Sequence, residues 1–152
     1  METRRETAIL CGLRMHDKTD CGSTLELNVF SEESRTGLAR MTTRLFKLWS
    51  LSPADQLNLL GMQARCRYRL SRYRHGKAAL PENRDTIDRV GWLMSIHESL
   101  GILYPHNPEI KYGWVNCRNK RFDNLTPLEV MREQGLIGIA KVAKYLDCYR
   151  EM

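Results

Sequence analysis

The sequence predicts an all-α protein of about seven helices. Apolar residues recur at three- and four-residue spacing through most of the chain after residue 31, the period of a helix with one buried face. Helix-start signals precede these stretches at Ser31, Ser52-Pro53 and Thr126-Pro127-Leu128-Glu129. Glycines follow them at Gly61, Gly76 and Gly135. Only Leu25–Phe30 alternates with a period of two, as a short strand or extended arm would.

Residues 1–30 show no sustained period and read as a loosely ordered leader. Ser31 then caps a helix whose first turn holds Glu32 and Glu33, favourable at the positive end of the helix dipole. Its expected buried face is Leu38, Met41, Leu45 and Leu48. Ser52, Pro53 and Asp55 start a short second helix, with Leu57, Leu59 and Leu60 apolar and Gly61 as its stop. A third helix is expected from Gln63 to His75, with Cys66, Leu70 and Tyr73 as a narrow apolar seam.

A core helix is expected to open near Ala79-Leu80-Pro81-Glu82. Ile87, Val90, Met94 and His97 share one of its faces, widened by Leu93, Ile96 and Leu100. Tyr104-Pro105-His106-Asn107-Pro108 ends it. A short amphipathic piece follows around Glu109–Val115, then an irregular link from Asn116 to Leu125. Thr126 and Glu129 form a capping box for a helix that Gly135 ends. The last helix covers about Leu136–Cys148 and leaves Tyr149-Arg150-Glu151-Met152 to project.

The chain of 152 residues, 42% apolar and 28% charged, fits one domain or two very small ones. No apolar run is long enough to span a bilayer, and the N-terminal residues do not match a secretory signal, so the expected location is the cytoplasm and no membrane partner is expected. Five scattered cysteines argue against a disulfide framework. Cys11, His16 and Cys21 lack the paired spacing of a metal site, and no metal or other cofactor is expected.

The charge is not spread evenly. Between Gly61 and Pro81 there is no acidic residue and six basic ones, Arg65, Arg67, Arg69, Arg72, Arg74 and Lys77. Outside that window basic and acidic residues are equal, at 18 each, so the whole net charge of +6 sits there. On the third helix those arginines cover the sides that the apolar seam leaves open. A short helix, a glycine turn and an arginine helix together form a helix-turn-helix pattern. A major groove admits one helix, and arginine serves both phosphate and guanine edges. The candidate DNA-binding residues are Gln63, Arg65, Arg67, Tyr68, Arg69, Arg72, Arg74 and Lys77. Tyr68 and Tyr73 suit either phosphate hydrogen bonds or core packing.

No catalytic residues are expected. His16, His75, His97 and His106 have no partner at triad or metal spacing, and there is no phosphate-cradling glycine loop. His97, on the apolar face, is expected to be a hydrogen-bonded core histidine.

Several segments, in order, resemble the Xre/MbcA/ParS family of antitoxins. They are Leu59-Leu60-Gly61-Met62, Arg72-Tyr73-Arg74-His75-Gly76, Leu80-Pro81, Ile87-Asp88-Arg89-Val90 and Ile96-His97-Glu98-Ser99-Leu100. Leu103-Tyr104-Pro105, Trp114, Asn119-Lys120-Arg121-Phe122 and Thr126-Pro127-Leu128-Glu129 follow, then Gly135-Leu136 and Val142-Ala143-Lys144-Tyr145-Leu146-Asp147. The resemblance covers roughly residues 35–150. It implies an N-terminal Xre-like helix-turn-helix domain, here 31–77, that dimerises and binds operator DNA. It also implies a C-terminal helical domain, here 78–152, that binds a toxin. The family's usual partner is a RES-domain toxin that degrades NAD, silenced when the antitoxin's C-terminal end enters its pocket. The matching residues here are Tyr145, Leu146, Asp147, Tyr149 and Arg150. The alternative is a stand-alone helix-turn-helix regulator with no toxin. The chain departs from the family pattern at Asn124, often a glycine, at Arg118, often a proline, and at Glu151-Met152, where relatives end glycine-rich.

Overall fold

A computed structural model describes residues 28–152, and among these the fold is all-helical. The expected leader lies almost entirely outside the described residues, as do Cys11, His16 and Cys21. The end of the expected strand or arm, Asn28 to Phe30, is instead a turn. Asn28 accepts from the Ser31 amide at 2.8 Å and, through its side chain, from the Phe30 amide at 3.0 Å.

Helix α1, Glu32–Leu48, starts where Ser31 accepts the Ser34 amide at 3.2 Å. Its buried face is Leu38, Ala39, Thr42, Thr43, Leu45 and Phe46. The two threonine hydroxyls return hydrogen bonds to the carbonyls of Leu38 and Ala39, which satisfies them inside the core. Leu48 was expected on this face and is instead 46% exposed. It is the last helical residue, and the chain turns there so that Trp49 takes the buried place.

Helix α2, Pro53–Leu59, has the expected cap, with Ser52 accepting the Asp55 amide at 3.2 Å. Gly61 follows at φ +71, a backbone state open to glycine and strained for other residues. The expected helix Gln63–His75 is divided. Gln63 makes no side-chain cap, and its carbonyl accepts from Cys66 at 2.9 Å, so the segment Ala64–Cys66 closes as a tight 3-10 turn. Helix α3, Arg67–Arg74, then buries Leu70 and Tyr73, and Cys66 packs against the same core.

Helix α4, Arg84–Leu103, starts later than expected. Its cap is Asn83, whose side chain accepts the Thr86 amide at 3.0 Å. The preceding residues are held as a connector because Arg35 of α1 donates to the Leu80 carbonyl at 2.6 Å and Leu80 is fully buried. Helix α5, Pro108–Gly113, is capped by Asn107 and runs into a 3-10 turn, Trp114–Asn116. A further 3-10 turn, Lys120–Phe122, lies inside the expected irregular link.

Helix α6 spans Pro127–Glu151 and opens with the expected capping box of Thr126 and Glu129. The Thr126 amide donates to the Glu129 carboxylate at 2.7 Å, which holds that carboxyl below its usual range. Gly135, at φ 61 and ψ −137, breaks the helical path, as the sequence suggested. The residues after Cys148 do not project as a free tail, because the helix continues through Glu151.

One hydrophobic cluster holds these helices together, with residues from both segments that the sequence divides at 78. Fully burying each of its leucines contributes roughly 1.5–3 kcal/mol. The helix α4 packs along α6 and touches α1, while α2 also packs on α6. Polar ties cross the same boundary: Asn116 donates to the Trp49 carbonyl at 3.0 Å, and Arg132 meets Asp55 at 3.5 Å.

Candidate functional surfaces

Two surfaces carry the candidate residues. The first is the outer side of α3 and the turn before it. Gln63, Arg65, Arg67, Arg72, Arg74 and Lys77 are exposed there, and Tyr68 is 61% exposed. Tyr73 goes to the core instead, where burial raises the pKa of its hydroxyl. The cationic groups are not equally extended. Arg69 donates to the Tyr68 hydroxyl at 3.2 Å and lies 5.8 Å from the Tyr68 ring centroid. Arg72 turns back to the Lys77 carbonyl at 3.3 Å. Arg65, Arg67 and Arg74 complete a face without a carboxylate between Gly61 and Pro81. Such a face attracts a polyanion.

The second surface is the C-terminal end of α6 with the loop beside it. Tyr145 stacks on Trp114 at a centroid distance of 6.3 Å and meets the edge of Phe122 at 5.1 Å. Tyr149, one turn on and half exposed, lies 6.2 Å from Tyr145. A ladder of rings thus runs outward from the core to the last helical turn. Asp147 accepts the hydroxyl of the fully buried Ser99 at 3.0 Å and sits 3.8 Å from the Arg150 guanidinium. The end of α6 is therefore fastened to α4. Leu146 is 1% exposed, so in this conformation it packs the core and presents no surface.

Sequence reasoning gave no role to Trp114 and Phe122, although both stood in the segments it singled out. The ladder they make with Tyr145 joins residues more than twenty apart in sequence, which no local period reveals.

His97 differs from the expected hydrogen-bonded core histidine. Its ring stacks on Tyr112 at 6.2 Å, and its Nδ1 has no hydrogen-bond partner among the described residues. Burial, with a smaller push from Lys111, lowers its pKa to about 4. Cys66, Cys117 and Cys148 are free thiols, and no His, Cys, Asp and Glu group among the described residues has metal-site geometry. No helix among the described residues is long and apolar enough to cross a membrane.

Comparison with known proteins bears on the second surface. Residues 99–151 match the model of the antitoxin Xre/MbcA/ParS C-terminal toxin-binding domain. The match begins at Ser99 and ends at Glu151, so it takes in the ring ladder, the Ser99–Asp147 bond and all of α6. The chain is also 31% identical over 107 residues to the uncharacterised protein y4oB of Sinorhizobium fredii (strain NBRC 101917 / NGR234), covering 70% of this chain and 79% of that one. No solved structure matches the chain significantly. The all-helical fold, the ordered sequence segments and the matched domain agree, and the chain belongs to the Xre/MbcA/ParS family of antitoxins.

Proposed function

We propose that this antitoxin neutralises a RES-domain, NAD-degrading toxin by inserting the last turn of α6 into the toxin's active site. The observation that carries the proposal is the presentation of Tyr149 and Arg150 at the end of the matched toxin-binding domain. The half-exposed ring of Tyr149 can fill the flat apolar space that a nucleotide's base occupies, and the Arg150 guanidinium can pair with carboxylate or carbonyl oxygens that line the toxin pocket. Tyr145 and Asp147 would position these two groups, and Leu146 would anchor the helix from inside.

The N-terminal segment, 31–77, would bind operator DNA as a homodimer and repress the antitoxin's own operon. The arginine face of α3 and the helix–glycine turn–helix order from Pro53 to Arg74 support that reading. Segment 78–152 would serve the toxin. The complex would act in the cytoplasm, as a binding partner and not as an enzyme.

The test is co-expression with the neighbouring reading frame, with a tag on one partner. A stable complex that restores cellular NAD is expected, together with salt-sensitive binding to the upstream DNA. Loss of both the complex and the NAD protection would remove the toxin assignment. DNA binding without a toxin complex would leave a stand-alone regulator.

A further inference from the structure

The loop of residues 116–124 lies inside the matched domain but apart from the end of α6, and its build is unusual. Asp123 and Asn124 are consecutive residues with left-handed backbones, at φ 54 and φ 63. Neither is glycine, though Asp and Asn enter this region more readily than other side chains, and the surrounding groups hold both of them in it. They do so through a closed set of hydrogen bonds. The Asn119 amide donates to the Leu125 carbonyl at 3.0 Å, and the Asn124 amide donates to the Asn119 carbonyl at 3.1 Å. Arg118 donates to the Asn124 carbonyl at 2.9 Å, and the Asn119 side chain accepts the Arg121 amide at 2.9 Å. Phe122 anchors the whole loop in the core, 4% exposed, edge-on to Tyr145.

The result is a rigid platform whose outer side carries Arg118, Lys120 and Arg121, all exposed; Asp123 is the one carboxylate within the loop, and Glu129 stands near Arg118. It is joined through Phe122 and Tyr145 to Tyr149 and the end of α6. Rigid cationic groups continuous with an exposed ring form a contact surface at low entropic cost.

We infer that this loop is a second docking element for the toxin: Lys120 and Arg121 meet an acidic rim around the pocket that the end of α6 enters. Charge complementarity selects the partner's chemistry, a carboxylate-rich protein surface. The inference rests on the toxin-binding reading above. The loop steers the encounter and fixes the approach angle, and the α6 end supplies the plug.

The test compares the wild-type chain with K120E/R121E and K120Q/R121Q, using the toxin encoded beside the gene as the probe. Both variants alter exposed side chains, so melting temperature and affinity for upstream DNA should stay unchanged. Toxin affinity should fall by about tenfold or more for the reversed pair and less for the neutral pair, chiefly through a slower association rate. The salt dependence of association should flatten in the same order. If the wild type captures the toxin and both variants capture it equally fast at all salt concentrations, the inference is overturned while the toxin reading stands. If DNA affinity falls and toxin capture does not, the loop belongs to nucleic acid and the inference is again overturned. Failure of the wild type itself to bind toxin removes the underlying reading and the inference with it.

Discussion

Arg89 of α4 lies directly against Gly61, the turn after α2: a Cβ placed on Gly61 would stand 2.9 Å from the Arg89 Nε. That nitrogen is already committed to Asp85, donating to its carboxylate at 2.8 Å. The turn that leads into the arginine helix is thereby seated on the central core helix.

Gly61→Ala should therefore destabilise the protein twice, through its φ of +71 and through the clash with Arg89. The expected loss is about 1–3 kcal/mol by urea unfolding. Gly37 is the internal control, since a Cβ there meets nothing within 4 Å inside α1. Gly37→Ala should raise stability by roughly 1 kcal/mol. Equal effects of the two changes would show that neither the positive φ nor the Arg89 contact constrains Gly61.

Asn124→Gly should stabilise the fold by about 0.5–1 kcal/mol, because glycine relieves the left-handed strain at φ 63. Asn124→Val should cost more than that gain, since a β-branched residue is poorly accommodated there. Thermal melting of the two variants checks the order.

Stability should depend on pH through His97. Its folded pKa, about 4, lies below the ordinary value of 6.5, so the unfolded chain binds the proton more readily between them. Stability from this group is fully present above pH 6.5, falls as pH drops, and levels off below about 4. The loss is on the order of 3 kcal/mol. His97→Gln should flatten that window in denaturant titrations at a series of pH values, while a window of unchanged depth would assign it to other groups.

On the basic face, Arg65→Ala, Arg67→Ala and Arg74→Ala should each reduce the salt slope of DNA binding by roughly one unit if the residue meets phosphate. An arginine that reads a base should instead cost about 1–3 kcal/mol at one operator position. Toxin capture should survive all three changes. If Arg65, Arg69 and Arg72 can all be replaced with no loss of DNA affinity, α3 is not the DNA-reading element.

The sequence was most legible where structure depends on neighbours in the chain. Ser31, Ser52 and the Thr126–Glu129 box cap their helices as read, because each cap closes within three residues. The Leu70–Tyr73 seam and the breaks at Gly61 and Gly135 follow from the same local logic. It was least legible where tertiary contacts decide. Leu48 fits the helical period but loses its place to Trp49 at the turn. Leu80 looked like a helix start and is a connector because Arg35, 45 residues earlier, holds it. The C-terminal residues looked free, yet Asp147 ties the last turn of α6 to Ser99, 48 residues away.

If the end of α6 silences a toxin, Tyr149 and Arg150 must carry much of the effect. The most direct measurement is the rate of NAD loss caused by the purified neighbouring toxin, titrated with wild-type antitoxin and with the Tyr149→Ala/Arg150→Ala variant. Wild-type protein is expected to abolish NAD loss at near-equimolar amounts, while the variant, equally well folded, needs at least about ten times more, as loss of an aromatic and an arginine anchor would require. Unchanged NAD loss with excess wild-type protein, or full protection by the variant at equimolar amounts, would contradict that expectation.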